Sequence, residues 1–354
     1  MQIRRSIHSA PSLIATGVLL GGCGGAPSVP SAFVSRSVSP ISLSPGAPAH
    51  VPPPATQNLY VANYLGSTVT VYAPGGSSPI RTISSGVKGP VCLAFAPNGT
   101  LYVANRANAT LSIYAKGTTH GKTVSKGLSD PIHCAFDPKN DDVYVINEYA
   151  STMTVLSSNG TYLKTISAYL FRPDWVAVDG SGNIYVANYL GSTVTVYSPK
   201  TGALIRTIDY DIASPNALAF DGSGNLYVSD NSANCVSVFP PEGTKPSRLI
   251  CDGIDRPVGL VVDHKGNLYV ASFASNRVTV YPPESSSGSG FSIYAGLDAP
   301  YALAIGSYGY LNVGNLQYGK KPTGSITEYP PDRTKLNRRI LTGIDGPYRI
   351  AFGP

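Results

Sequence analysis

The sequence predicts an all-β protein: a seven-bladed β-propeller of four-stranded antiparallel blades, closed when the C-terminal strand pairs with the N-terminal blade. Three observations predict it. Gly occurs 37 times and Pro 30 times in 354 residues. That level excludes long helices and coiled coils, because both residues break them. Charged residues are only 13%, while Tyr occurs 23 times, a balance that favours many short, well-buried strands. Finally, the chain from residue 57 repeats itself with a step of 41 to 43 residues, read between Tyr60, Tyr102, Tyr144, Tyr185, Tyr227, Tyr269 and Asn312. Repeats of roughly 40–50 residues with four short β segments each are the mark of propeller blades.

The elements follow in order. Residues 1–22 carry Arg4 and Arg5, then the uncharged apolar run LIATGVLL from Leu13 to Leu20, then Gly21 and Gly22. This is the layout of an export signal, and the apolar run is too short to span a bilayer. Leu20-Gly21-Gly22-Cys23 resembles the lipobox of bacterial lipoproteins. The resemblance implies cleavage before Cys23, acylation of its side chain, and a chain exported and lipid-anchored to the cell envelope. Gly24 in place of Asp then points to the outer membrane if the host is Gram-negative. Residues 23–56 are dominated by Pro, Ser, Ala and Gly, with Arg36 the single charge, and are expected to form a disordered tether. With Arg4 and Arg5 removed, the net charge falls from +6 to +4, and no Lys/Arg run exists. A nucleic-acid partner is therefore not expected.

Residues 57–354 hold the seven repeats. NLYVAN-like segments begin near Asn58, Leu101, Val143, Asn183, Asn225, Asn267 and Tyr310, and Pro-x-x-Leu-Ala-Phe-like segments begin at Pro90, Pro131, Pro173, Pro215, Pro257, Pro300 and Pro347. The fourth repeat shows the plan. PNALAF is the inner strand, the Gly-containing DGSGN a tight turn, NLYVSD the second strand, NCVSVF the third and PSRLIC the outer one. Because the chain starts on a second strand and ends on an inner one, residues 347–352 should pair with 58–63 and complete the seventh blade. Closure of this kind leaves few pairing edges exposed.

The NLYVAN, STVTVY and GSGN elements, with Ser67–Tyr72 and Ser192–Tyr197 identical, resemble the NHL and YVTN-type propeller families over nearly all of 57–354. WD-type propellers are disfavoured, because Trp175 is the single Trp and no Trp-Asp pair exists. Members of such families include lyases, lactonases and pure binding modules, so the resemblance fixes architecture more than chemistry.

Inner strands begin, and second strands end, on one face of the disc. The residues expected there include Tyr64, Arg106, Glu148, Asp174, Trp175, Tyr189, Asn216, Asp230, Phe273, Tyr301 and Tyr348, with His133 and Arg349 also at strand starts. Mixed aromatic, amide and charged groups suit a glycan, a peptide or a protein loop. The Asn and Asp that end the second strands have a plainer reading as turn caps. Glu148, Asp174, Asn216 and Asp230 are weak candidates for a metal. Related gluconolactonases hold a metal with such residues, so the resemblance to NHL-type propellers implies Ca²⁺ or Zn²⁺ there only if the chain is a lactonase or lyase. No GxSxG or HExxH motif is present and the propeller has three His, so the leading expectation is a non-catalytic binding or scaffold module with no cofactor. Cys235 and Cys251 fall opposite each other in one hairpin, and export makes their oxidation plausible. Cys92 and Cys134 lie on neighbouring inner strands at different phases, so pairing and two buried thiols both stay open.

Overall fold

The computed structural model describes residues 57–285, 290–317, 323–331 and 335–354. The export signal, Cys23 and the tether lie outside the described residues. Seven four-stranded antiparallel sheets follow one another, and six are built from consecutive strands. The fourth blade is Pro215–Phe220, Leu226–Asp230, Cys235–Phe239 and Arg248–Ile250, in the order expected from its sequence. The seventh blade takes its inner strand, Pro347–Gly353, from the C-terminus and its other three from the start: Asn58–Asn63, Thr68–Tyr72 and Pro79–Ile83. Leu59 faces Phe352 and Val61 faces Ile350, so the ring is closed by a full antiparallel ladder.

Burial follows position in the blade. Second and third strands are buried on both faces, because each blade is sandwiched between two others. Outer strands such as Pro79–Ile83 and Leu204–Ile208 alternate buried and open residues, with one face toward water. Low overall charge is thus a property of the stacked sheets, and several outer strands carry an Arg at the rim. From there Arg81 and Arg206 donate to the Tyr60 and Tyr185 hydroxyls at 2.9 and 2.7 Å.

Two repeated polar devices hold neighbouring loops to the blades. At the end of the second strand, Asn63, Asn105, Asn147 and Asn188 are fully buried. The Asn105 Nδ2 donates to Thr110 and Ser112 on the third strand, while its Oδ1 accepts from the Lys88 N–H in the incoming loop at 3.1 Å. Asn147, Asn188 and Asn63 accept from Ser129, Phe171 and Asp345 in the same way. At the end of the third strand, buried Tyr hydroxyls donate to carbonyls of the loop arriving from the preceding blade. Tyr72 reaches Thr342 at 2.7 Å and Tyr197 reaches Ala168 at 2.6 Å. The turn after the fourth inner strand uses Asp221, whose Oδ1 accepts from the Ser223 and Asn225 N–H groups, and Gly224 at φ 84°.

The sulfurs of Cys235 and Cys251 are bonded within the fourth blade. Cys92 and Cys134 are bonded as well, joining the inner strands of the first and second blades with Cα atoms 5.8 Å apart.

Candidate functional site

Each inner strand begins with Pro, and every one slips register just after it. Pro173 faces Asn188, yet Trp175 faces Ala187, so Asp174 is the extra residue of a bulge. The same slip follows Pro90, Pro131, Pro215, Pro257, Pro300 and Pro347. Pro suits the position, since it has no N–H to contribute to the ladder. The bulge distinguishes two rings of side chains around the axis, one at the first position after Pro and one at the second.

The second ring decides the shape of the axis. Around the disc it reads Arg349, Cys92, His133, Trp175, Ala217, Gly259 and Ala302. The larger side chains come from four adjoining blades and the small ones from the other three. A cavity of about 180 Å³ remains on the axis, lined by Cys92, His133, Trp175 and Arg349 on one side and by Gly259, Leu260, Val261, Tyr301, Ala302 and Leu303 on the other. Gly259 is required by close approach, because a Cβ there would lie 2.5 Å from the Tyr301 carbonyl oxygen.

Aromatic rings surround a buried cation in this cavity. His133 stacks on Trp175 with ring centroids 3.9 Å apart. The Arg349 guanidinium lies 4.4 Å from the Trp175 ring, 5.6 Å from Tyr301 and 5.4 Å from Tyr348. Tyr301 donates its hydroxyl to Tyr348 at 3.0 Å, and Tyr64 sits 5.8 Å from Tyr348 toward the mouth. Burial and, after it, Arg349 push the His133 pKa down, so the imidazole is neutral. Its Nδ1 accepts from the Val176 N–H at 3.5 Å, which leaves the proton on Nε2. Burial pushes both phenols up, and they stay protonated.

In the first ring, Asn216 donates to Asp174 at 2.7 Å. Burial raises the Asp174 carboxyl to about 7, against the opposing pull of Arg349 and with a further push from Glu148. Beside it stands an ion-pair cluster. Arg106 grips Asp130 through Nε and Nη2 at 2.9 and 3.1 Å and reaches Glu148 at 2.7 Å, while Arg172 holds the other Glu148 oxygen. Tyr149 lies under both guanidiniums, at 5.6 and 4.6 Å.

The sequence-selected residues therefore divide. Tyr64, Asp174, Trp175, Asn216, Tyr301 and Tyr348 gather on or beside the axis. Arg106 and Glu148 are engaged with one another. Asp230 is buried and accepts from the N–H groups of Ala213, Ser214, Ser232 and Ala233, which makes it the fourth blade's counterpart of the loop-holding Asn. Tyr189 and Phe273 lie on the rim, half-buried, with Phe273 5.9 Å from Arg256. Leu65, Tyr149, Phe171 and Leu190 are exposed in the loops of the same face. Among the described residues no three His, Cys, Asp or Glu side chains cluster as a metal would require. Residue-type reasoning placed Arg349 and His133 at strand starts, read His133 as a packed or rim histidine rather than a base, and weighed Cys92 only for pairing with Cys134. Aligning the second residue after each Pro is the signal that separates them.

Comparison with known proteins adds a partial family match and a general fold match. Residues 134–232 match the SMP-30/Gluconolactonase/LRE-like region. No curated protein matches the chain. Among solved structures, a streptogramin B lyase superposes with a TM-score of 0.66 at 14% identity, over 84% of this chain and 92% of that one. The virginiamycin B lyase of Staphylococcus aureus gives 0.61 at 13%, over 73% and 85%. A functionally unknown protein from Desulfotomaculum acetoxidans gives 0.68 at 15%, over 84% and 98%. At such identities the likeness concerns architecture alone. The chain is a seven-bladed β-propeller repeat protein.

Proposed function

We propose that this chain is a lipid-anchored protein of the bacterial cell envelope whose propeller binds a glycan, peptide or protein partner at the axial mouth without transforming it. The observation that carries the binding reading is the engagement of the carboxylates. Glu148 is shared by two arginines, and Asp230 is committed to four backbone N–H groups. Both carboxylates are thus engaged in holding the fold. The mouth instead presents Tyr64, Tyr348 and Trp175, framed by exposed apolar loop residues, a surface suited to stacking and desolvation. The mature chain is to be probed on glycan and peptide arrays beside Tyr348→Ala. Retention of a ligand by the native chain and its loss in a folded variant is the expected outcome; equal retention refutes the site. Acylation is tested by palmitate labelling in the cell, which should vanish in Cys23→Ala.

A metal-assisted lactonase or lyase is the second reading. Its specific support is that the matched region, 134–232, spans Glu148, Asp174, Asn216 and Asp230, and that two of the similar solved structures are lyases. Stoichiometric Ca²⁺ or Zn²⁺ in the purified protein, lost in Asp174→Asn, would establish it over the binding reading.

A further inference from the structure

We propose that the axial cavity is a site for a small carboxylate with a flat apolar body, the carboxylate paired with Arg349 and the body seated among Trp175, Tyr301, Leu260 and Leu303. The inference rests on the binding reading above and names its ligand class.

Three observations converge on it. Arg349 is 8% exposed, yet among the described residues its guanidinium forms neither an ion pair nor a hydrogen bond. The arginines that serve the fold are engaged: Arg106 and Arg172 on Glu148, Arg338 on Glu328. Asp174 acts on it only through space, and a buried guanidinium with no directly paired carboxylate is costly, the rings around Arg349 offsetting only part of that. Its planar fork is the geometry that receives a carboxylate in two parallel hydrogen bonds.

The space beside it has a matching size and lining. The cavity measures about 180 Å³, and an apolar cavity of about 150 Å³ is enough to hold benzene. A single-ring carboxylate therefore fits, whereas a sugar chain or a peptide does not enter beyond one terminal group. The walls away from Arg349 are aliphatic or aromatic: Leu260, Val261, Leu303, Trp175 and Tyr301. The neutral His133 adds no charge to that wall.

Trp175, the single Trp, reports on the cavity. The mature full-length protein is titrated with benzoate and with benzamide, its neutral counterpart, following Trp fluorescence. Expected are saturable quenching by benzoate and binding of benzamide at least about tenfold weaker. In Arg349→Gln the preference for benzoate should vanish. If Arg349→Gln does not fold, the comparison of the two probes on the native protein decides the matter. Equal binding of the two probes or no saturable response to benzoate overturns the carboxylate assignment. Either of these can occur while array ligands still bind at the mouth. Stoichiometric metal lost in Asp174→Asn would instead overturn the binding reading itself.

Discussion

Replacing Asp174 by Asn should stabilise the propeller at alkaline pH and leave it nearly unchanged in acid. Burial raises the carboxyl from its ordinary 3.8 to about 7 in the folded chain. At ~1.36 kcal/mol per tenfold change, that gap corresponds to about 4 kcal/mol of differential stability. Asp174 keeps part of its surface on the axial channel, where water screens its charge, so about 2 kcal/mol is the figure to expect. The sign follows from proton counting. Between about pH 4 and 7 the folded chain holds a proton that the unfolded chain has released, and stability falls as pH rises. Below that window the cost is absent; above it the cost is complete. Asn cannot ionise, and its side-chain oxygen still accepts from Asn216. Urea unfolding, followed by Trp175 fluorescence and far-UV circular dichroism, should give equal midpoints for the two proteins near pH 4. At pH 8 the variant should be higher by about 2 kcal/mol. A gap of the same size at both pH values, or native stability that rises across the window, refutes the assignment of a raised Asp174.

Three further outcomes are expected. Tyr72→Phe removes the hydroxyl that ties the seventh blade to Thr342 and should cost about 1 kcal/mol by the same unfolding assay. Deleting residues 345–354 removes the inner strand that pairs with Asn58–Asn63, and cooperative unfolding should be lost; a sharp transition at the native midpoint would contradict closure. A denatured, unreduced chain lacking Cys23 should react with no thiol reagent and yield four thiols after reduction, while four free thiols beforehand would contradict both bridges.

The architecture was legible because its punctuation is chemical. Pro opens each inner strand, Asn or Asp closes most second strands, and the step between them is nearly constant, so blades, strand order and closure follow from local residue types. The plainer reading of the strand-end Asn as caps agrees with the bonds that Asn105 and Asn147 make. The centre of the site was less legible. Whether Asp174 or Trp175 faces the axis depends on a one-residue register slip, and a slip of that kind leaves no mark in composition. The bond between Cys92 and Cys134 was hidden for a related reason. The two lie two and three residues past their Pro, and only the stagger between neighbouring blades brings them level. The coupling of Glu148 to Arg106 and Arg172 joins residues from three repeats, and no single repeat contains it.

The ring of second positions after Pro also shows how little of the wheel the axis depends on. Each member joins its inner-strand ladder through the backbone, whatever its side chain, so the side chains form a small alphabet written on a rigid wheel. Ala302 borders the cavity but is packed in the core shared with Leu59, Val61 and Ile350. Gly259 is the letter that cannot change, because the Tyr301 carbonyl occupies the place of its side chain. A redesign of specificity would therefore begin at Arg349 and leave the other blades as they stand.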